Sequence, residues 1–287
     1  TPGISSAASD VYKRQQLNQR EITMKDLFSI EGKVALVTGG SRGIGSMIAA
    51  GFLASGAKVY ISSRKAEVCD ETAKKLSEEY GGECISIPAD VSNVEGIEAL
   101  ADAIKTKEDK LDILINNAGV AWGEPIDTYP EIGWDKVMDT NVKGIFFLTQ
   151  KLLPLLREAG KDDPARVINI GSIDGLKKGA FENFAYGPSK AAVHHLSRVL
   201  AAFLIKEKII VNAIAPGPYP TWMLSTGVGF GGDTDVDWSQ VGEANPSGRV
   251  GSLEDIAGLA IFLCSRAGEY IVGQTIASDG GAVADSN

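Results

Sequence analysis

Residues 33–45 constrain this chain more than any others. Lys33-Val-Ala-Leu-Val-Thr38 is a short apolar run that stops at glycine. Gly39-Gly-Ser-Arg-Gly-Ile-Gly45 then leads into helical apolar spacing over 46–55. An apolar run without alternation reads as a strand buried on both faces. Glycine lets the backbone turn tightly and approach a ligand, because it has no Cβ. A helix starting at such a turn aims its free N–H groups at an anion. Strand, glycine turn and helix together predict a phosphate cradle.

The alternation continues to the end of the chain. Strands are expected at 57–62, 84–87, 111–115, 166–170, 209–214 and 274–277. Helices are expected at 66–80, 94–107, 134–156, 189–206 and 253–264. Seven apolar strands separated by helices predict an α/β fold: one doubly wound, seven-stranded parallel sheet with helices on both faces. Residues 27–287 are expected to form that single domain. Residues 216–247 break the rhythm with many Gly, Pro and Asp. A long loop following a strand lies at the carboxyl edge of the sheet, where ligands bind in such folds. The stretch 217–247 is therefore the candidate substrate loop.

Composition narrows the function classes. The formal net charge is -9, which argues against nucleic acid or an anionic membrane surface as the main partner. No apolar run approaches the ~20 residues that span a bilayer. Cys69, Cys84 and Cys264 are too widely spaced for a disulfide framework or a zinc site, so no metal is expected. Residues 1–26 are polar, mix both charges and lack the apolar core of a secretory signal. A targeting leader, a disordered tail and sequence foreign to the protein all stay open for them. A cytoplasmic location is expected, with organellar targeting by 1–26 left open.

The glycine spacing is Gly39-x-x-x-Gly43-x-Gly45, and it resembles the phosphate loop of the short-chain dehydrogenase/reductase family. The resemblance runs over about residues 30–283 and implies a Rossmann-type domain. An NAD-binding sheet of this kind ends its second strand in Asp or Glu, which holds the ribose 2′-hydroxyl. Ile61-Ser62-Ser63-Arg64 has no acid there. Arg64, with Arg42 of the loop, offers cationic donors that suit a 2′-phosphate. NADP is expected over NAD, held by Gly39, Ser41, Arg42, Gly43, Ile44, Gly45, Ser63 and Arg64. The resemblance further implies that Asp90 and Val91 meet the adenine. It places Asn117, Ala118 and Gly119 along the adenine and central-sheet region, and Pro216, Gly217 and Thr221 at the nicotinamide.

Tyr186-Gly-Pro-Ser-Lys190 puts Tyr and Lys four positions apart, on one face of a helix. Pro188 suits a first helical turn, so the helix should begin about here, with both side chains at its mouth. Ser172 ends the preceding strand and can meet them. A free phenol titrates near 10, and a neighbouring ammonium is expected to lower that value. Tyr186 would then give a proton to a carbonyl oxygen as hydride arrives, while Ser172 polarises that oxygen. By resemblance, Lys190 also holds the nicotinamide ribose, and Asn141 supports a water relay to Lys190. One extra residue separates Ser172 from Tyr186 relative to the usual family interval, which an inserted loop residue absorbs. His194 and His195 match no catalytic pattern and read as packing or surface.

Trp122 and Trp222-Met-Leu224 suit a hydrophobic substrate. Within the family, Asn169-Ile-Gly-Ser172, the Tyr186–Lys190 segment and Trp122-Gly123 most resemble 3-oxoacyl-[acyl-carrier-protein] reductases of the rhamnolipid-biosynthesis type. That implies NADPH-dependent reduction of a 3-oxoacyl thioester to the (R)-3-hydroxyacyl product. The implied partners are an acyl-thioester or other small-molecule substrate, acyl carrier protein, and further copies of the chain in a homodimer or homotetramer. Two rival readings stand beside it: an NADP-dependent dehydrogenase of a sugar, polyol or steroid alcohol, and a non-catalytic NADP-binding sensor or scaffold.

Overall fold

The computed structural model describes residues 24–179, 181–228 and 236–285; most of the segment 1–26, and residues 229–235 of the substrate loop, lie outside them. The strands are β1 (Val34–Thr38), β2 (Lys58–Ser62), β3 (Cys84–Ser86), β4 (Ile113–Asn116), β5 (Ala165–Ile170), β6 (Ile209–Pro216) and β7 (Thr275–Ser278). They form one sheet in the order β3-β2-β1-β4-β5-β6-β7, with every pair parallel. The expected seven-stranded, doubly wound sheet is what the chain forms.

The helices that cover the sheet are α1 (Gly43–Ala54), α2 (Ala66–Tyr80), α3 (Val94–Lys105), α4 (Glu131–Met138), α5 (Gly144–Ala159), α6 (Tyr186–Leu204), α7 (Trp238–Glu243) and α8 (Leu253–Cys264). Successive strand residues face opposite sides. Ala35 and Val37 therefore join a core under α1, α2 and α8, while Val34 and Leu36 join one under α3 and α5. A Cβ on Gly51 of α1 would run into Ala257 of α8; its absence lets the two helices close on each other.

Strand order reverses at β1, because the chain builds outward to β3 and returns to place β4 on the other side of β1. Ligands bind at the carboxyl ends beside such a reversal. Thr38, Ser62, Asn116, Ile170 and Pro216 end their strands there.

Three sequence expectations change. The helix read over 134–156 is broken: a wider π-helical turn, Asp139–Lys143, separates α4 from α5. Apolar spacing survives one inserted residue, so periodicity does not reveal it. The helix read over 189–206 begins at Tyr186, with Pro188 in its first turn. Among its described residues the substrate loop holds two helical pieces, a π-helical turn Met223–Val228 and α7. Both are too short to leave a periodic signal.

Candidate active site

A cleft of about 1210 Å³ opens along the carboxyl edge of the sheet. Of the residues expected from sequence to meet a cofactor or substrate, all but Gly45, Trp122 and Asn141 line it; the Trp122 ring packs instead against Gly133 and Lys136 of α4.

The phosphate cradle forms one end. Gly39 and Gly43 have φ of 64° and 56°, a backbone region L side chains avoid. Thr38 Oγ1 accepts from the N–H groups of Asn117 and Ala118 at 3.0 and 3.1 Å. Asn117 Nδ2 donates to the carbonyls of Thr38 and Gly39 at 2.9 and 3.1 Å. The amide of Asn117 thus holds the glycine turn in shape. Gly45 works from behind: a Cβ there would strike the Gly39 carbonyl and Asn117. It packs helix against turn and does not line the cleft.

Arg42, Ser63 and Arg64 line the cleft beside the cradle, with both arginines exposed to solvent. The Ser63 hydroxyl is buried and has no hydrogen-bond partner among the described residues. A donor without an acceptor, in a cleft that two arginines also line, fits a phosphate group. No acid ends β2, so these residues match a nicotinamide dinucleotide with a 2′-phosphate better than one without. Asp90 and Val91 line the adjoining wall, and Asp90 Oδ1 accepts the Ser92 N–H at 3.0 Å.

At the other end, α6 carries Tyr186 and Lys190 to the end of β5. Ser172 and Tyr186 both line the cleft here, and the Ser172 hydroxyl accepts the Asp174 N–H at 3.1 Å. Lys190 is buried, and its Nζ donates to the Ile170 carbonyl at 2.8 Å. The same Nζ lies 5.5 Å from the centre of the Tyr186 ring.

The expected lowering of the Tyr186 pKa is not found. Burial pushes the phenol up to about 12, and nearby Asp174 adds to the rise against the opposing pull of the Ser172 hydroxyl. Burial pulls Lys190 down to about 8. Desolvation disfavours the charged form of each group and is the main cause of both shifts. The phenol therefore keeps its proton at neutral pH, in the state that can donate.

Asn141 is fully buried on the π-helical turn. Its Oδ1 accepts the Val120 N–H, and its Nδ2 donates to the Val120 carbonyl, both at 2.9 Å. Nδ2 also donates to Ser189 Oγ at 3.0 Å. The side chain is thus a brace between the end of β4 and the start of α6. Gly119 sits beside both groups: a Cβ there would lie 3.4 Å from Asn141 Oδ1 and from Lys190 Nζ.

Over the cleft, Thr221 comes close enough to Gly43 that a Cβ there would sit 3.2 Å from its methyl. Pro216 and Gly217 line the cleft, with the Gly217 N–H donating to Ser278 O at 3.0 Å. Trp222, Met223, Leu224, Phe181 and Val120 give the substrate end an apolar wall.

Sequence reasoning missed two groups. Asn116 Nδ2 donates to Asn169 Oδ1 at 2.8 Å and to Thr149 Oγ1 at 3.2 Å, and Asn169 Nδ2 donates to Ser197 Oγ at 2.9 Å. This buried network ties β4, β5, α5 and α6 beneath the site. Polar residues inside otherwise apolar strands were its signal. The second is His194, which is buried against Ser172; His195 is exposed, as read.

No group of His, Cys, Asp and Glu able to hold a metal occurs among the described residues. No described helix is long and apolar enough to cross a membrane.

A phosphate cradle at the sheet reversal, with a hydroxyl pair and a lysine at the far end of one cleft, defines an oxidoreductase that works with a nicotinamide dinucleotide. The chain belongs to the short-chain dehydrogenase/reductase family. A family model described as enoyl-(acyl carrier protein) reductase matches residues 39–283. The chain is similar to the rhamnolipids biosynthesis 3-oxoacyl-[acyl-carrier-protein] reductase of Pseudomonas aeruginosa. The two are 48% identical over 259 residues, covering 90% of this chain and 99% of that protein. It is also similar to the solved Pseudomonas aeruginosa RhlG/NADP active-site complex. There the TM-score is 0.83 at 48% identity, covering 91% of this chain and 100% of that one. The L-sorbose reductase of Gluconobacter frateurii, solved with NADPH and L-sorbose, gives a TM-score of 0.81 at 32% identity. It covers 91% of this chain and 100% of that one.

Proposed function

We propose that this chain reduces the ketone of a 3-oxoacyl thioester to the (R)-3-hydroxyacyl product, using NADPH. The observation that carries the reading is that Ser172 and Tyr186, with Lys190, line the same cleft, the Lys190 Nζ lying 5.5 Å from the centre of the Tyr186 ring. The two hydroxyls can both meet one carbonyl oxygen. The 48% identity to a 3-oxoacyl-[acyl-carrier-protein] reductase supports the acyl substrate, as does the apolar wall formed by Trp222, Met223 and Leu224.

In this reading Arg42, Ser63 and Arg64 hold the 2′-phosphate, and the cradle of Gly39, Ser41, Gly43 and Ile44 receives the pyrophosphate. Asp90 and Val91 face the adenine. Asn117, Ala118 and Gly119 line the adenine and central-sheet region, and Pro216, Gly217 and Thr221 lie at the nicotinamide. When bound, the nicotinamide supplies the hydride. Ser172 donates to the carbonyl oxygen and polarises it. Tyr186 passes its phenolic proton to that oxygen as negative charge develops there. The high Tyr186 pKa keeps this proton in place until the charge appears. Lys190, charged below about pH 8, offsets the phenolate left behind and holds the nicotinamide ribose. Asn141 braces α6 so that Lys190 keeps its position, and supports the proton relay toward it.

Residues 27–287 act as one domain in this account, and the chain assembles as a homodimer or homotetramer in the cytoplasm. Acyl carrier protein is the proposed carrier of the substrate.

The test is NADPH oxidation with acetoacetyl-CoA, with a long-chain 3-oxoacyl carrier-protein thioester, and with a keto-sugar acid, each repeated with NADH. Turnover of a thioester with NADPH preferred supports the reading. Turnover of the sugar acid alone would keep the reductase and replace the substrate.

A further inference from the structure

His194 lies one turn beyond Lys190 on α6 and is almost wholly buried. The Ser172 backbone N–H donates to its Nε2 at 3.4 Å. The Gly175 backbone also lies against the ring. The turn folds around it: Gly175 N–H donates to Ser172 O at 3.0 Å, and Asp174 N–H to Ser172 Oγ at 3.1 Å. Room for the ring comes from two glycines. A Cβ on Gly171 would collide with it, and one on Gly175 would lie 2.7 Å from its Cε1.

We propose that His194 is a positioning residue for the reaction, a neutral imidazole whose Nε2 fixes the Ser172 backbone and so aims the Ser172 hydroxyl at the substrate carbonyl. The inference rests on the reading of Ser172 as the polarising group. A neutral ring accepting at Nε2 carries its proton on Nδ1. Burial, with the charges of Lys190 and Arg198 behind it, pulls the ring down to about 4. The accepting form therefore persists at any pH at which the enzyme would work. Without the ring, the Ser172 N–H is a buried donor with no acceptor. The turn from 172 to 175 is then free to rotate the hydroxyl away from Tyr186.

The position also explains why helix spacing hid it. His194 is four residues after Lys190, so it shares the face that Lys190 turns toward the site. Its partners, however, are backbone groups of a distant turn, which sequence spacing does not display.

The test compares His194→Leu, which keeps bulk without an acceptor, with His194→Gln, whose side-chain oxygen can take the Ser172 N–H. Acetoacetyl-CoA and NADPH are the probes. His194→Leu is expected to lose about tenfold in kcat, the scale of one hydrogen bond, with the NADPH dissociation constant unchanged. His194→Gln should recover most of that loss. Unchanged kcat in His194→Leu, or an equal loss in both variants, overturns the proposal. Ring ¹⁵N shifts of the intact parent protein test it without any variant. An accepting Nε2 that does not titrate between pH 5 and 8 is expected, and a protonated Nε2 overturns it even where a variant fails to fold. If the parent does not reduce acetoacetyl-CoA, the substrate reading fails, and the ¹⁵N result still decides the role of His194 in holding Ser172.

Discussion

The Arg42 guanidinium lies over the Trp222 ring, 4.3 Å from its centre. One residue belongs to the phosphate loop and the other to the substrate loop, so the contact joins the two loops across the cleft. Thr221, next in the chain, rests against Gly43. A guanidinium stacked in this way keeps its edge donors free for a phosphate. With Arg42 proposed to hold the 2′-phosphate, removing the ring should loosen that grip specifically. Trp222→Ala is expected to raise the NADPH dissociation constant about two- to fivefold, the scale of an exposed cation–π contact. Arg42→Ala should raise it roughly ten- to a hundredfold, the scale of a charged hydrogen-bond pair. NADH binding should change little in either. Equal losses for both cofactors, read by fluorescence titration, would contradict this assignment.

The pH profile of reduction should have an alkaline limb set by Lys190. Its ammonium is lost as pH rises through about 8, while Tyr186, pushed to about 12, keeps its proton throughout. The value of kcat/KM for NADPH reports the free enzyme, and it should fall above about pH 8. Lys190→Arg keeps its charge at every accessible pH, so any activity it retains should lack this limb. Folding responds with its own sign. Between about 8 and the ordinary lysine value of 10.5 the unfolded chain holds the Lys190 proton and the folded chain does not. This residue alone then makes stability rise with pH in that window.

Asn141→Ala should destabilise the fold as well as slow the reaction. It removes three hydrogen bonds and leaves the Val120 N–H and C=O without their partner. Buried groups left unpaired cost about 1–3 kcal/mol each, so a loss of about 2–4 kcal/mol is expected in denaturant melts. A melt matching the parent would show that the brace is dispensable.

The sheet was legible because every strand is an unbroken apolar run ended by a turn residue, and Val34–Thr38 running into Gly39 shows the rule. The cofactor end was equally legible, since glycines, a missing acid and two arginines lie close together in sequence. Long-range polar contacts were not. The brace from Asn141 to Val120, the network from Asn116 to Ser197 and the ring of His194 under Ser172 each join elements 20 or more positions apart. The Tyr186 pKa was misjudged for a related reason. A lysine four residues away is visible in the sequence, but the burial that raises the value comes from the folded surroundings.

Tyr186→Phe tests the central claim most directly, because it removes one oxygen and leaves the ring in place. The measurement is kcat for NADPH-dependent ketone reduction beside the NADPH dissociation constant. The account predicts that kcat falls by roughly 10²–10⁴, the scale of general-acid catalysis, with NADPH bound as tightly as in the parent. A variant that reduces the ketone at the parent rate would show that the proton comes from elsewhere, and would remove Tyr186 from the mechanism.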